Sequence, residues 1–221
     1  MIWTVPNILT TLRLLAAPGI ALMFLFLPRP AADWAALVLF TVTALTDWVD
    51  GYLARLWRQE TKMGAMLDPI ADKAMVVIAL MVLAGFSSLS IWLILPAALI
   101  LFREVFVSGL REYLGDTAGT LKVTKLAKWK TTVQMVAISV LFAHGIAEHY
   151  FRMWTWGMDN TIVAGILQGR ESDEMGLRPL WQTVVWAAQG GLALLWLAAL
   201  LTLITGGDYL RKALPHLRED V

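Results

Sequence analysis

DWVDGYLARLWRQETKMGAMLDPIAD, residues 47–72, decides how this chain is read. It contains Asp47, Asp50, Asp68 and Asp72, and apolar sequence runs into it from both sides: ALVLFTVTALT ends at Thr46, and AMVVIALMVLAG starts two residues after Asp72. A carboxylate at the edge of a hydrocarbon slab is costly unless a cation or a wet cavity answers it. Four carboxylates converging there imply bound metal.

The spacing predicts a cage. With 35–57 helical, Asp47 and Asp50 stand at i and i+3 on one face. With 66–85 helical, Asp68 and Asp72 stand at i and i+4 on one face of a second helix. Two helices that each offer two carboxylates suit a hard divalent ion, Mg²⁺ or Mn²⁺. Gly51 and Gly64 have no side chain, so a ligand or backbone can come close. Arg55 offers a planar fork for phosphate. Carboxylates, divalent metal, small residues and arginine together describe a site that handles a pyrophosphate.

Composition places this site in a membrane. Hydrophobic residues make up 58% of the 221 residues and charged residues only 16%, outside the usual soluble range. Eleven tryptophans fit interfacial anchoring. A net charge of +1 gives no reason to invoke nucleic acid, and the lack of cysteine excludes disulfides, thiolate metal sites and a cysteine nucleophile. No signal peptide is expected, because the first basic residue, Arg13, lies inside an apolar run rather than ahead of it. The length predicts one domain over 1–221.

At about 20 apolar residues per crossing, six spans are expected, at 8–27, 34–57, 69–86, 91–113, 130–147 and 181–205. The fold class is therefore an all-α, polytopic bundle of six transmembrane helices. Long helical runs exclude a β-barrel, whose strands alternate over about ten residues. Residues 144–180 read as a polar and aromatic connection, with GRESDEMGLRP as a surface loop. The connections on one side, with the tail, carry eleven Lys and Arg; the other side carries four. The positive-inside rule puts the richer side, and the aspartates, in the cytoplasm.

Two other places carry charge inside apolar sequence. Arg13 interrupts VPNILTTLRLLAAP and is expected to face an anion or the aspartates. Arg103 and Glu104 fall deep within ILFREVFVSGLREYL, and Arg111 follows Arg103 by about two helical turns, on the same face. Lys122 and Lys125 beyond fit a positive-inside loop near anionic headgroups, whereas Arg103 lies too deep for that and, with Arg111, Lys128 and Lys130, predicts a pocket for a second phosphate. His144, His149 and His216 lack metal-ligand spacing and read as interfacial or surface residues. Gln189, Gly190 and Gly191 predict close helix packing.

The stretch D-x2-D-G-x2-A-R-x8-G-x3-D-x3-D is present without departure, and it resembles the signature of the CDP-alcohol phosphatidyltransferases. NILTTLRLL, TDWVDGYLARLW, GAMLDPIADK, FREVFVSGLRE and LAKWKTTVQMVA look most like the bacterial phosphatidylglycerophosphate synthases of that family. The likeness runs from about residue 4 to 143 and fades beyond.

The resemblance implies transfer of a phosphatidyl group from CDP-diacylglycerol to sn-glycerol 3-phosphate with release of CMP. It implies an integral protein of the bacterial inner membrane whose site faces the cytoplasm, as a homodimer. Asp47, Asp50, Asp68 and Asp72 would hold Mg²⁺ or Mn²⁺, with Asp72 also the catalytic base. Asn7, Thr10, Arg13, Gly51, Ala54, Arg55 and Gly64 would line the CDP-diacylglycerol site. Arg103, Arg111 and Lys130, with Lys128 as alternate, would take glycerol 3-phosphate.

Three alternatives stay open on the residues. Another member of the family would use inositol phosphate or phosphatidylglycerol as acceptor. Intramembrane carboxylates also mark cation-coupled transporters, although the inverted repeat such proteins carry is absent here. A non-catalytic lipid-binding scaffold would tolerate loss of Asp72.

Overall fold

The computed structural model describes residues 4–57, 61–87, 90–115, 119 and 126–217; at 6, 47–57 and 126–128 it describes the backbone alone. The described residues form seven helices: α1 Val5–Phe26, α2 Ala31–Trp57, α3 Lys62–Phe86, α4 Ile91–Leu114, α5 Leu126–Trp154, α6 Asn160–Leu167 and α7 Leu177–Leu217.

Local chemistry sets several ends. Thr4 caps α1, its hydroxyl accepting the Asn7 N–H at 3.5 Å, and a proline in the first turn gives up an N–H that the helix cannot use. Pro28 and Pro30 separate α1 from α2. Asp173 caps α7 with both oxygens: Oδ1 accepts from Leu177 N at 2.7 Å and Oδ2 from Arg178 N at 2.9 Å. These bonds, that to Arg178 foremost, hold the Asp173 carboxyl below its ordinary value. Asp159 caps α6, and its bonds from the Thr161 hydroxyl and N–H lower it in the same way.

Five helices, α1, α3, α4, α5 and α7, are long and apolar enough to cross a membrane. Helix α2 carries a shorter apolar stretch, Ala31–Thr46. Their outer surfaces are greasy: Leu15, Leu25, Leu45, Met81, Phe102, Val105, Trp186 and Leu200 are all more than half exposed. Water would penalise such faces; lipid does not.

The chain forms two compact units. The first comprises 1–83 and 138–191, the second 84–137 and 192–221. In the first, α1 packs along α2, and Phe142 stacks with Phe24 and tilts against Phe40, with centroids 6.3 and 6.1 Å away. Bare Gly191 lets the backbone close on α5; a Cβ there would sit 2.8 Å from Leu141 Cδ2. In the second, Trp92 and Trp196 meet edge-on, and the Trp196 indole N–H donates to the Trp92 carbonyl at 3.0 Å. Much of the fully buried surface is alanine, including Ala17, Ala32, Ala36, Ala71, Ala79, Ala137, Ala198 and Ala213. Lipid removes the hydrophobic drive between helices, so close packing of small residues takes its place.

The structure extends several expected spans. Helix α3 starts at Lys62 rather than 69, α5 runs to Trp154 rather than 147, and α7 covers 41 residues rather than 181–205. Apolar content marks the bilayer, whereas the backbone continues its hydrogen-bond ladder past the interface. The expected 144–180 connection is accordingly shorter. It begins after Trp154 and contains α6, and α7 starts within GRESDEMGLRP.

Candidate functional site

Helix α1 presents Asn7, Thr10 and Arg13 at three-residue spacing, and all three are buried. Among the described residues, their partners from another helix lie on α3 and at its cap, Thr61, more than fifty residues away. Thr61 caps α3 by accepting the Gly64 N–H at 3.0 Å, and its hydroxyl donates to Asn7 Oδ1 at 2.8 Å. One turn along, the Thr10 hydroxyl donates to Asp68 Oδ1 at 2.6 Å. Arg13 Nη1 donates to Asp72 Oδ1 at 2.9 Å, and Nη2 reaches Asp68 Oδ1 at 3.4 Å.

One guanidinium therefore ties two carboxylates a turn apart, which a lysine could not do in this geometry. The Arg13 side chain is 3% exposed, whereas those of Asp68 and Asp72 are 49% and 40% exposed. The acids are gripped from behind and open in front. Gly64 belongs to the same grip, since a Cβ there would lie 2.7 Å from Asn7 Oδ1. The side chain that comes close to Gly64 is thus a protein amide.

Asp47, Asp50, Gly51, Ala54 and Arg55 lie on α2, the two aspartates at i and i+3. Their side chains fall outside the described residues. Among the described residues, no group of three or more acids, histidines or cysteines is placed to hold a metal. The described part of the expected cage is the Asp68–Asp72 pair.

The second unit holds the other charged group. Arg103 of α4 reaches Glu104 Oε1 at 3.2 Å through Nη1 and the Thr205 hydroxyl of α7 at 3.3 Å through Nη2. Lys130 of α5 donates to that same Glu104 oxygen. Gly206 presses on the arginine stem; a Cβ there would lie 2.8 Å from Arg103 Cγ. The Arg111 guanidinium lies 5.2 Å from the Tyr209 ring centroid, within cation–π range. Arg103 and Arg111 therefore meet Thr205 and Tyr209, one turn apart on α7. Lys128 lies in the first turn of α5, its side chain outside the described residues.

The sequence reading assigned no role to Glu104, Thr205, Gly206 or Tyr209. Its one available signal was T-x2-T-G-x2-Y, a polar stripe of helical period in an apolar segment. A third group, in the first unit, was also missed. Arg29 forms a two-pronged pair with buried Asp33, both bonds at 2.7 Å, and Gly145 leaves room for it. The Asp33 bond raises the Arg29 pKa. His144 Nδ1 donates to the Val184 carbonyl, 3.2 Å away, in the packing of the first unit.

A model of the family described as CDP-alcohol phosphatidyltransferase matches residues 3–165, a span that takes in Asn7 through Asp72 and Arg103 through Lys130. The chain belongs to this family. Along all of both chains it is 59% identical, over 220 residues, to a protein of Cereibacter sphaeroides named CDP-diacylglycerol–glycerol-3-phosphate 3-phosphatidyltransferase. It is 35% identical, over 222 residues and again the whole of both chains, to a protein of that name from Escherichia coli K12. In this CDP-alcohol phosphatidyltransferase, the described side chains of the signature include the two acids Asp68 and Asp72, open in front and gripped from behind by Arg13. The Arg103–Glu104–Lys130 group lies beyond the signature but within the matched span.

Proposed function

We propose that this chain transfers the phosphatidyl group of CDP-diacylglycerol to sn-glycerol 3-phosphate, giving phosphatidylglycerol phosphate and CMP. The observation that carries it is the grip of Asn7, Thr10 and Arg13 on Asp68 and Asp72 in a chain of this family. The full-length likeness to two glycerol-3-phosphate 3-phosphatidyltransferases supports the acceptor.

The donor chemistry suits a hard divalent ion: two half-exposed carboxylates one helical turn apart, with two more at i and i+3 on α2. Asp47, Asp50, Asp68 and Asp72 would hold Mg²⁺ or Mn²⁺. When bound, the ions would supply positive charge against the diphosphate and the departing phosphate. Arg13 and Thr10 fix the α3 carboxylates so that they need not reorganise as the reaction proceeds. Gly51, Ala54, Arg55 and Gly64 shape the cytidine diphosphate site beside Asn7, Thr10 and Arg13.

The acceptor hydroxyl oxygen forms a bond to the phosphatidyl phosphorus as the bond from that phosphorus to the CMP oxygen breaks. A carboxylate oxygen of Asp72 takes the hydroxyl proton, and CMP leaves with the bonding pair. Arg103, Arg111 and Lys130, with Lys128 as alternate, receive the acceptor's phosphate; arginine forks are suited to it. One displacement suffices, with no covalent enzyme intermediate.

We place α2 as the sixth span, with its carboxylates at the cytoplasmic face of the bacterial inner membrane, as the distribution of Lys and Arg favours. The acyl chains lie against the greasy outer faces of the helices, and the assembly is a homodimer, as the family resemblance implies. Purified protein with CDP-diacylglycerol should release CMP only when both Mg²⁺ and glycerol 3-phosphate are present. Release that ignores the acceptor would refute the transfer.

A further inference from the structure

Glu104 has no part in the proposed reaction, yet its carboxylate contacts two of the proposed acceptor cations, Arg103 and Lys130. Adjacent helical residues project about 100° apart, so Arg103 and Glu104 do not pair by default. Arg103 nevertheless brings Nη1 to Glu104 Oε1 at 3.2 Å, and Lys130 of α5 donates to that same oxygen. All three side chains are buried to more than four-fifths.

Arg103 has little room to yield. Gly206 backbone lies against its stem, and the Thr205 hydroxyl takes Nη2 at 3.3 Å while itself donating to the Leu201 carbonyl at 2.8 Å. Further polar atoms sit on the same faces. Gln134, one turn beyond Lys130, and Thr202 and Tyr209, either side of Thr205, are each more than nine-tenths buried. The Gln134 carbonyl oxygen, the Thr202 and Tyr209 hydroxyls and Arg103 Nε have no hydrogen-bond partner among the described residues. Buried polar atoms normally find partners, so these faces are built to receive a polar guest.

We propose that Glu104 is the resident anion of the acceptor site. Its carboxylate holds Lys130 and Arg103 in place of the acceptor's phosphate and gives them up when that phosphate arrives. This role presupposes that Arg103 and Lys130 receive the acceptor. It makes Glu104 a specificity determinant: a phosphate monoester with two negative charges displaces one carboxylate, whereas a phosphodiester or an uncharged alcohol does not. With Arg103 clamped, the Glu104 side chain is the part that moves.

Two readouts on the purified full chain test this. The first is thermal stabilisation by inorganic phosphate in the presence of chelator, which needs no turnover. The second is the KM for glycerol 3-phosphate. Glu104→Gln should tighten phosphate binding and lower that KM by roughly three- to tenfold, with the KM for CDP-diacylglycerol unchanged. It should also relax discrimination against phosphatidylglycerol. Lys130→Met should abolish phosphate stabilisation in either background.

If Glu104→Gln weakens phosphate binding as Lys130→Met does, or leaves it unchanged, Glu104 only positions the cations and the proposal is wrong. Should Glu104→Gln not fold, Glu104→Asp withdraws the charge by one methylene and must shift both readouts the same way, by less; no shift overturns the proposal. If phosphate binding behaves as expected but glycerol 3-phosphate never elicits CMP, the exchange stands and the acceptor assignment falls.

Discussion

At the scale of single residues, the described part of the site depends on how Thr10 and Arg13 hold Asp68 and Asp72. Arg13 ties Asp72 and Asp68 with two nitrogens. Arg13→Lys keeps the charge but not the fork, and kcat/KM for CMP release should fall by at least about tenfold, a loss near 1.4 kcal/mol of transition-state stabilisation. A change below twofold would show that the fork is dispensable. Gly64→Ala would drive a methyl group toward Asn7 Oδ1, 2.7 Å away. It should cost about 1–3 kcal/mol, read as a lower thermal midpoint, and reduce activity with it. Asp72→Asn should abolish turnover while CDP-diacylglycerol binding, measured directly, persists. Loss of both would count against Asp72 as the base. Much of this residue-level picture was legible in sequence. An arginine inside an apolar run must find an anion, and the aspartates of the signature were the expected partners. The direction of the Gly64 contact was not legible, because Asn7 and Thr61 meet across 54 residues and no local pattern encodes that pairing.

At the scale of helices, apolar runs announced the elements but not their ends. Helix α7 shows why. Its 41 residues amount to about 60 Å, twice the hydrocarbon thickness, so hydropathy could mark only its middle. Its start is chemical: the Asp173 carboxylate bonds the Arg178 and Leu177 N–H groups. The Asp173 pKa is lower folded than unfolded. The unfolded chain therefore binds more protons in the window between the two values. The cap's contribution is complete above the ordinary carboxylate value, about 3.9, and is lost as pH falls through the lowered folded value. Unfolding in detergent should show wild type more stable than Asp173→Asn at neutral pH, and the gap should close on acidification below that range. A gap independent of pH would contradict the cap. Helix α7 also supplies Thr205 and Gly206 to Arg103, a contact across 102 residues that sequence could not show. Gly206→Ala should push the Arg103 stem and raise the KM for glycerol 3-phosphate more than that for CDP-diacylglycerol. Equal effects on both would indicate general damage to packing.

At the scale of the whole molecule, greasy outer faces, alanine-rich interiors and cations such as Arg13 and Lys130 buried within apolar helices describe a protein that does polar chemistry inside a membrane. In the proposed reaction the acids of α2 and α3 serve the metal and diphosphate, and the cations of α4 and α5 serve the acceptor. Family membership fixes the donor chemistry class, and the acceptor is the part of the proposal that the second group is assigned to receive, so the decisive measurement is product identity. Purified protein should be given CDP-diacylglycerol and Mg²⁺ with equal concentrations of glycerol 3-phosphate, inositol phosphate and phosphatidylglycerol, and the lipid product weighed by mass spectrometry. The account predicts phosphatidylglycerol phosphate as the dominant product, lost on chelation of the metal. A dominant product built on inositol phosphate or on phosphatidylglycerol would contradict it.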